Sequence, residues 1–347
     1  AWCIFGVYTG FNWMPGGKEI IIWSGGKILR INATGTNEAT EIPFTCNVKQ
    51  KITEAVRFKQ NINPDQFTVN VIRNAVTSPD EKLLVFNALG YLWKKQLPDG
   101  KPVRLTNSTA QEAEPSFSAD GKNLVYVSWN DTAMGAIHVL NLATGKSKKI
   151  STEKAIYRMP SFSADGKWIA YDKDGGDNTM GNTFNVNPGI YIISAEGGKP
   201  NFVTDKGSEP KFDKTGERIF YQQNRSSFGS CKKDGSDEKT IFKSQYGSQF
   251  ALSPDGNWVA FVDLHKVYVA AFPQTGKTID LSATSNAVPV KLVSKDAGIN
   301  LHWSGDGKKV HYTLGHQYYS IDLADRFEFI ANRPDSLFKV PEKGISV

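Results

Sequence analysis

Residues 117–127 read FSADGKNLVYV, a Ser-x-Asp-Gly turn followed at once by an apolar run. The same arrangement returns as FSADGKWIAYD from Phe162, LSPDGNWVAFV from Leu252 and HWSGDGKKVHYT from His302. Weaker copies are WMPGGKEIIIW from Trp13, TSPDEKLLVFN from Thr77 and FDKTGERIFYQ from Phe212. Aligned on the third turn position, they stack Gly16, Asp80, Asp120, Asp165, Thr215, Asp255 and Asp306 in one column. In such a turn the carboxylate accepts nearby backbone N–H groups and glycine takes a positive φ. The β-branched and aromatic run that follows, such as Leu124-Val125-Tyr126-Val127, reads as a strand. A third strand and a second turn, Ala143-Thr144-Gly145-Lys146, lead to a fourth.

Four short strands per unit, repeated seven times, predict an all-β, seven-bladed β-propeller of four-stranded antiparallel blades. The alternative within that class is part of a larger tandem propeller. The units fall at about 10–45, 69–107, 112–151, 156–204, 207–243, 247–294 and 297–341, in one region spanning 1–347. No unit sustains the 3.6 periodicity of a helical stack. Two stretches break the repeat. Residues 46–68 form an insertion, and Asp172 to Pro188 form a polar, glycine-rich loop between the second and third strands of their blade. Ring closure is expected to join Ile4–Tyr8 with the last unit, because an unpaired strand edge invites aggregation.

Composition agrees with a turn-rich globular fold. Of 347 residues 39% are hydrophobic and 22% charged, with 31 glycines and 16 prolines, which excludes disorder, collagen and coiled coil. The net charge of +6 is not gathered into a basic block; even Lys146 to Lys149 is interrupted by Ser147. Nucleic acid is therefore not an expected partner. No apolar run reaches the roughly 18 residues of a membrane span. Cys3, Cys46 and Cys231 are odd in number and include no C-x-x-C pair, which excludes a zinc ribbon or redox dithiol and leaves the compartment open. The start, AWCIFGVYTG, lacks Met and a signal peptide's basic region, so a removed leader or an internal piece of a longer chain is expected.

The repeat resembles the TolB-type, WD-repeat-like propeller. Longer strings, GKEIIIWSGGKILRIN, GYLWKKQLPDGKPVRLT and HWSGDGKKVHYTLG, resemble the propeller region that precedes the catalytic domain of large bacterial amidohydrolase-related proteins. That resemblance runs from about Gly10 to the C-terminus. It implies further blades upstream, a metal-dependent barrel downstream, a chain cut at both ends, and a periplasmic or secreted location. A divalent metal is expected only in that downstream domain, and the implied partners are the protein's own catalytic domain or another subunit. Glu81 in place of the turn glycine, Thr215 in place of the turn Asp and Gly16 in place of the first Asp depart from the pattern and are expected to weaken single turns. A stand-alone TolB-like binding propeller is the competing reading. The propeller of a prolyl-oligopeptidase-type peptidase is a third, since propellers precede such peptidase domains; no Gly-x-Ser-x-Gly occurs here, so its nucleophile is expected beyond Val347.

Catalytic groups are not evident. The five histidines form no His-x-His or His-Glu-x-x-His motif, and His302, His311 and His316 are expected on different strands. Asp172, Asp174 and Asp177 are candidate oxygen ligands for calcium, although the closing Glu of a full calcium loop is missing. The turn residues Asp80, Asp120, Asp165, Asp255 and Asp306 are structural. Six positions before each turn column stands a second one: Asn74, Glu114, Met159, Glu209, Gln249 and Asn300, with Arg73 and Arg158 one residue earlier. These begin the inner strands, so they are expected to ring one channel mouth as a candidate binding site; a merely wet rim is the plain alternative. Glu114 and Glu209, each followed by proline, form the candidate charged pair for a cationic or hydrogen-bonding group.

Overall fold

The computed structural model describes residues 10–35, 38–54, 56–57, 60–175, 187–327 and 344–347. Its described residues form seven sheets, one for each copy of the repeat, each built on four antiparallel strands and one of them extended by a fifth. The single helix among the described residues is the four-residue Ala324–Phe327. No described helix is long and apolar enough to cross a membrane.

The chain divides into two compact units, Ala1–Gln66 and Phe67–Val347. The first holds one sheet, with strands Phe11–Trp13, Glu19–Ser24, Lys27–Asn32 and Ala39–Ile42 paired in sequence order. Its register sets Trp13, Ile20, Ile31 and Ala39 in one row across the sheet. Described residues of the 46–68 insertion carry neither helix nor strand.

The second unit holds six sheets, begun by the strands Arg73–Thr77, Gln111–Phe117, Tyr157–Phe162, Ser208–Phe212, Gly247–Leu252 and Ile299–Trp303. These six are the inner strands, and the last of them packs back against the first. Closure is therefore made within residues 67–347. Ile4–Tyr8, expected to take part, lie outside the described residues; the last sheet is completed by Ile345–Ser346 pairing with Gln317–Asp322.

The apolar core follows the same plan. Each of its six clusters bridges two neighbouring sheets. The closing seam is filled by Tyr318 of the last sheet among Ile72, Ala75, Leu84 and Phe86 of the first. A sheet of alternating apolar residues cannot cover both faces alone, and each such buried side chain contributes about 1.5–3 kcal/mol. One sheet is extended. Ile279–Asp280 adds a short parallel strand beside Lys239–Lys243, so the outer strand of the following sheet is Val290–Ala297.

The repeated turns share one hydrogen-bond plan. Ser118 Oγ donates to Asp120 Oδ1 at 2.6 Å and accepts the Asn123 N–H at 3.0 Å, while the Lys122 N–H donates to the same carboxylate. Asp80, Asp165, Asp255 and Asp306 repeat it with Ser78, Ser163, Ser253 and Ser304. The serine hydroxyl holds each of these carboxyls below its ordinary range, although in Asp255 burial opposes it as the largest influence. FDKTG was expected to be a weakened turn; in the structure its hydrogen-bonded pair is inverted. Asp213 occupies the serine position and accepts the Arg218 N–H at 3.1 Å, while Thr215 Oγ1 donates to Asp213 at 2.6 Å. At the glycine position of its turn, Glu81 itself takes φ 58°.

A candidate binding mouth on the inner strands

All six inner strands of the second unit carry a register shift near their start. Five column residues sit at that bulge in the left-handed region: Asn74 at φ 47°, Glu114 at 54°, Met159 at 46°, Glu209 at 56° and Asn300 at 59°. Non-glycine residues pay on the order of 1 kcal/mol to stand there, a cost met where backbone groups must be re-aimed. Gln249 is the exception, and its buried Oε1 has no hydrogen-bond partner.

Column side chains capture neighbouring backbone. Glu114 accepts the Met159 N–H at 2.5 Å, and Asn300 accepts the Asn74 N–H at 3.1 Å. Glu114 also takes Arg158 Nε at 2.7 Å and is only 6% exposed. Glu209 differs: it is exposed, with buried Pro210 behind it. The candidate pair Glu114 and Glu209 therefore divides into one structural and one available carboxylate. Arg73 is exposed and pairs across its hairpin with Asn87, whose amide donates to the Glu112 carbonyl.

The calcium candidates meet the same mouth. Asp172 belongs to strand Trp168–Lys173 rather than to the expected loop, because it pairs in register with Arg158. Burial, then the neighbouring Asp174, push its carboxyl up to about 7, against the pull of Arg158. Glu114 and Glu209 also press on it. Asp174 stands two residues on, its N–H donating to the Ile156 carbonyl. Asp177 lies outside the described residues. Among the described residues no group of three His, Cys, Asp or Glu is placed to hold a metal ion.

Lys211, two residues beyond Glu209 on the same strand, was not evident as a site residue in the sequence. It is exposed on its strand, and desolvation by its surroundings lowers its ammonium below the usual lysine range while Glu209 and Glu114 oppose the shift. Burial likewise raises the Glu209 carboxyl, with Lys211 acting against it. A charged mouth of this kind suits a ligand or partner that brings charges of its own.

His138, His302 and His311 serve packing instead. His302 and His311 pair across their hairpin with ring centroids 5.0 Å apart. His302 Nε2 accepts the Thr77 N–H at 3.2 Å, so its Nδ1–H donates to the Asn300 carbonyl at 2.9 Å. Burial holds His302 down to about 4. His311 is fully buried, with Tyr318 Oη 2.7 Å from its Nδ1. His138 stacks on Tyr126, and His316 contacts Gln317.

Residues 95–278 match the family model described as the TolB beta propeller domain. None of the curated protein sequences matches the chain. Among solved structures, TolB from Acinetobacter baumannii is 16% identical, with 90% of this chain and 76% of that one covered at a TM-score of 0.52. A gluconolactonase from Xanthomonas campestris is 15% identical, with 73% of this chain and 86% of that one covered at a TM-score of 0.53. At such identities the likeness is one of fold.

Proposed function

The chain belongs to the TolB beta propeller domain family, and from that premise we propose that it is a non-catalytic propeller docking a second protein unit at the mouth lined by Arg158, Asp172 and Glu209. The observation that carries this is the exposed Glu209 carboxylate, whose charge acts on the half-buried acid Asp172, on a rim whose inner strands are bulged. A rigid, pre-charged rim selects a partner's cationic groups without paying to order itself. The docked unit is read as the catalytic domain of an amidohydrolase-related, metal-dependent hydrolase, which the propeller holds and gates. That finer assignment is supported by the strings GYLWKKQLPDGKPVRLT and HWSGDGKKVHYTLG, and it brings with it a periplasmic or secreted location.

A stand-alone propeller of the TolB type is the second reading, favoured by the family match itself. Intact-mass measurement on the native protein separates the two. A mass two or three times the 38.3 kDa of these residues supports the hydrolase, and a mass near 38.3 kDa overturns it in favour of the stand-alone module. The docking role is tested by Glu209→Lys. Reversal of this exposed charge should weaken association with the native partner or with the rest of the chain, most at low salt. Unchanged association would remove the mouth from the interface.

A further inference from the structure

In the sheet begun by Gly247–Leu252, the chain between the third and fourth strands is longer than a hairpin needs. It sends Ile279–Asp280 across to the preceding sheet, where this segment pairs in parallel with Lys239–Lys243. Thr278 Oγ1 donates to the Thr240 carbonyl at 2.9 Å, and the Leu281 N–H to the Lys243 carbonyl at 2.8 Å. Asp263 Oδ2 accepts the Ala283 N–H at 2.8 Å, which ties the insert back to its own sheet. Between this added wall and the hairpin at Ser226 and Ser227 lies a cavity of about 400 Å³, within the range of ligand pockets. Its third side is the link Lys243 to Gln245, which runs on to Gly247 and the start of an inner strand, so the cavity lies at the mouth-bearing end of both sheets. A departure from the repeat that builds a cavity of its own is a place for function.

The lining is polar and balanced in charge. Ser226, Ser227, Ser244 and Ser282 bring hydroxyls, Gln245 brings an amide, and Leu281 is the single apolar residue among them. Lys243 and Asp280 are both exposed and stand in register on the two parallel strands, one charge of each sign. Ser244 is only 5% exposed, and its hydroxyl has no hydrogen-bond partner. Gly247 leaves that hydroxyl its space, since a Cβ there would lie 2.8 Å from it. A buried hydroxyl without a partner is costly, and a ligand that supplies one relieves the cost.

We propose that this cavity binds a neutral saccharide, whose hydroxyls exchange hydrogen bonds with Asp280, Gln245, Lys243 and the serines. The inference stands apart from the docking role proposed above. Every sugar hydroxyl both donates and accepts, which matches a wall that mixes hydroxyls, an amide, a carboxylate and an ammonium. An anion would meet Asp280 and a cation Lys243, so neither charge is favoured. A peptide's apolar side chains would find Leu281 alone. The exposed Tyr246, next in the chain after Gln245, offers an aromatic face to the ligand. The saccharide is either a free oligosaccharide or the end of a chain carried by a larger molecule.

Saturation-transfer NMR titrations on the full chain test this with maltotriose, cellotriose and triacetylchitotriose, against trigalacturonate and trialanine. Each neutral sugar is offered free and coupled to albumin through its reducing end; binding of both forms means that the site takes a chain end, and of the free form alone that the ligand enters whole. At least one neutral trisaccharide should bind, about tenfold more tightly than the acidic sugar or the peptide. Asp280→Ala should weaken that binding about tenfold by removing an exposed acceptor. Ser244→Ala should weaken it about fivefold without lowering the melting temperature, because the lost hydroxyl has no partner in the free protein. Weakening in either variant supports the site. No binding of any neutral sugar, preference for trigalacturonate or trialanine, or an affinity unmoved by both substitutions would overturn the proposal.

Discussion

Arg158 Nε lies 2.7 Å from Glu114 Oε1, and the other oxygen of that carboxylate takes the Met159 N–H at 2.5 Å. One side chain thus ties its own inner strand to the bulge of the next. Glu114→Gln removes the charge from a buried, doubly bonded site, and the expected loss is about 1–3 kcal/mol. Glu209→Gln, at an exposed position in the same column, should stay within about 0.5 kcal/mol. Chemical denaturation of the two variants checks the contrast; equal stabilities would contradict the division of roles drawn here.

Acid should act on the ring in two opposing ways. His302 is kept neutral down to about 4, whereas the unfolded chain binds its proton near 6.5. Its contribution to stability is present above 6.5 and is lost as pH falls toward 4. Asp172 behaves in reverse. Folded, it holds its proton up to about 7 against an ordinary 3.8, so its effect lowers stability as pH rises between those values. Asp172→Asn should therefore stabilise the protein at pH 7, on the order of 1 kcal/mol after allowing for solvent screening. The gain should vanish by about pH 4, as followed by melting temperature across that range. A gain that persists at pH 4 would contradict the assigned shift.

The Ser-x-Asp-Gly turns and the column six residues earlier were legible because both depend on neighbours within one hairpin. What each column residue does was not. Glu114 and Glu209 have the same local sequence, each followed by proline, and differ only because Arg158 and the Met159 amide reach Glu114 from the next sheet. The contact between Thr77 and His302 spans 225 residues and exists only because the last sheet meets the first of the second unit. Asp172 read as loop because glycines follow it, yet pairing with Arg158 draws it into the strand. Lys211 gave no signal, since an unpaired lysine is conspicuous only once its surroundings are known.

The inverted turn offers a test free of the binding question. In Asp213→Ser the introduced hydroxyl faces that of Thr215, and in Thr215→Asp two carboxylates face each other. Each single variant should lose about 1 kcal/mol. The double change to Asp213→Ser with Thr215→Asp recreates the arrangement of the Ser118 and Asp120 turn and should recover most of the loss. Additive losses in that double-mutant cycle would mean that the two positions do not form a pair.

The six core clusters make a stronger demand on the chain. Each lies between two sheets of the second unit, and the closing one is complete with Ile72, Tyr318 and the hydrogen bonds between Thr77 and His302. Nothing in that sequence of contacts draws on residues 1–66, which form a compact unit of their own. Residues 67–347 produced alone should therefore melt in one cooperative transition, close in temperature to that of the same unit in the whole chain. Thr77→Val in this shortened protein should cost about 1 kcal/mol by removing the hydroxyl partner of His302. Removal of residues 1–9 from the full chain should leave the transition of the second unit in place. A non-cooperative melt of 67–347, or a collapse of its transition on loss of residues 1–9, would show that closure depends on the N-terminal segment and not on the seam between Thr77 and His302.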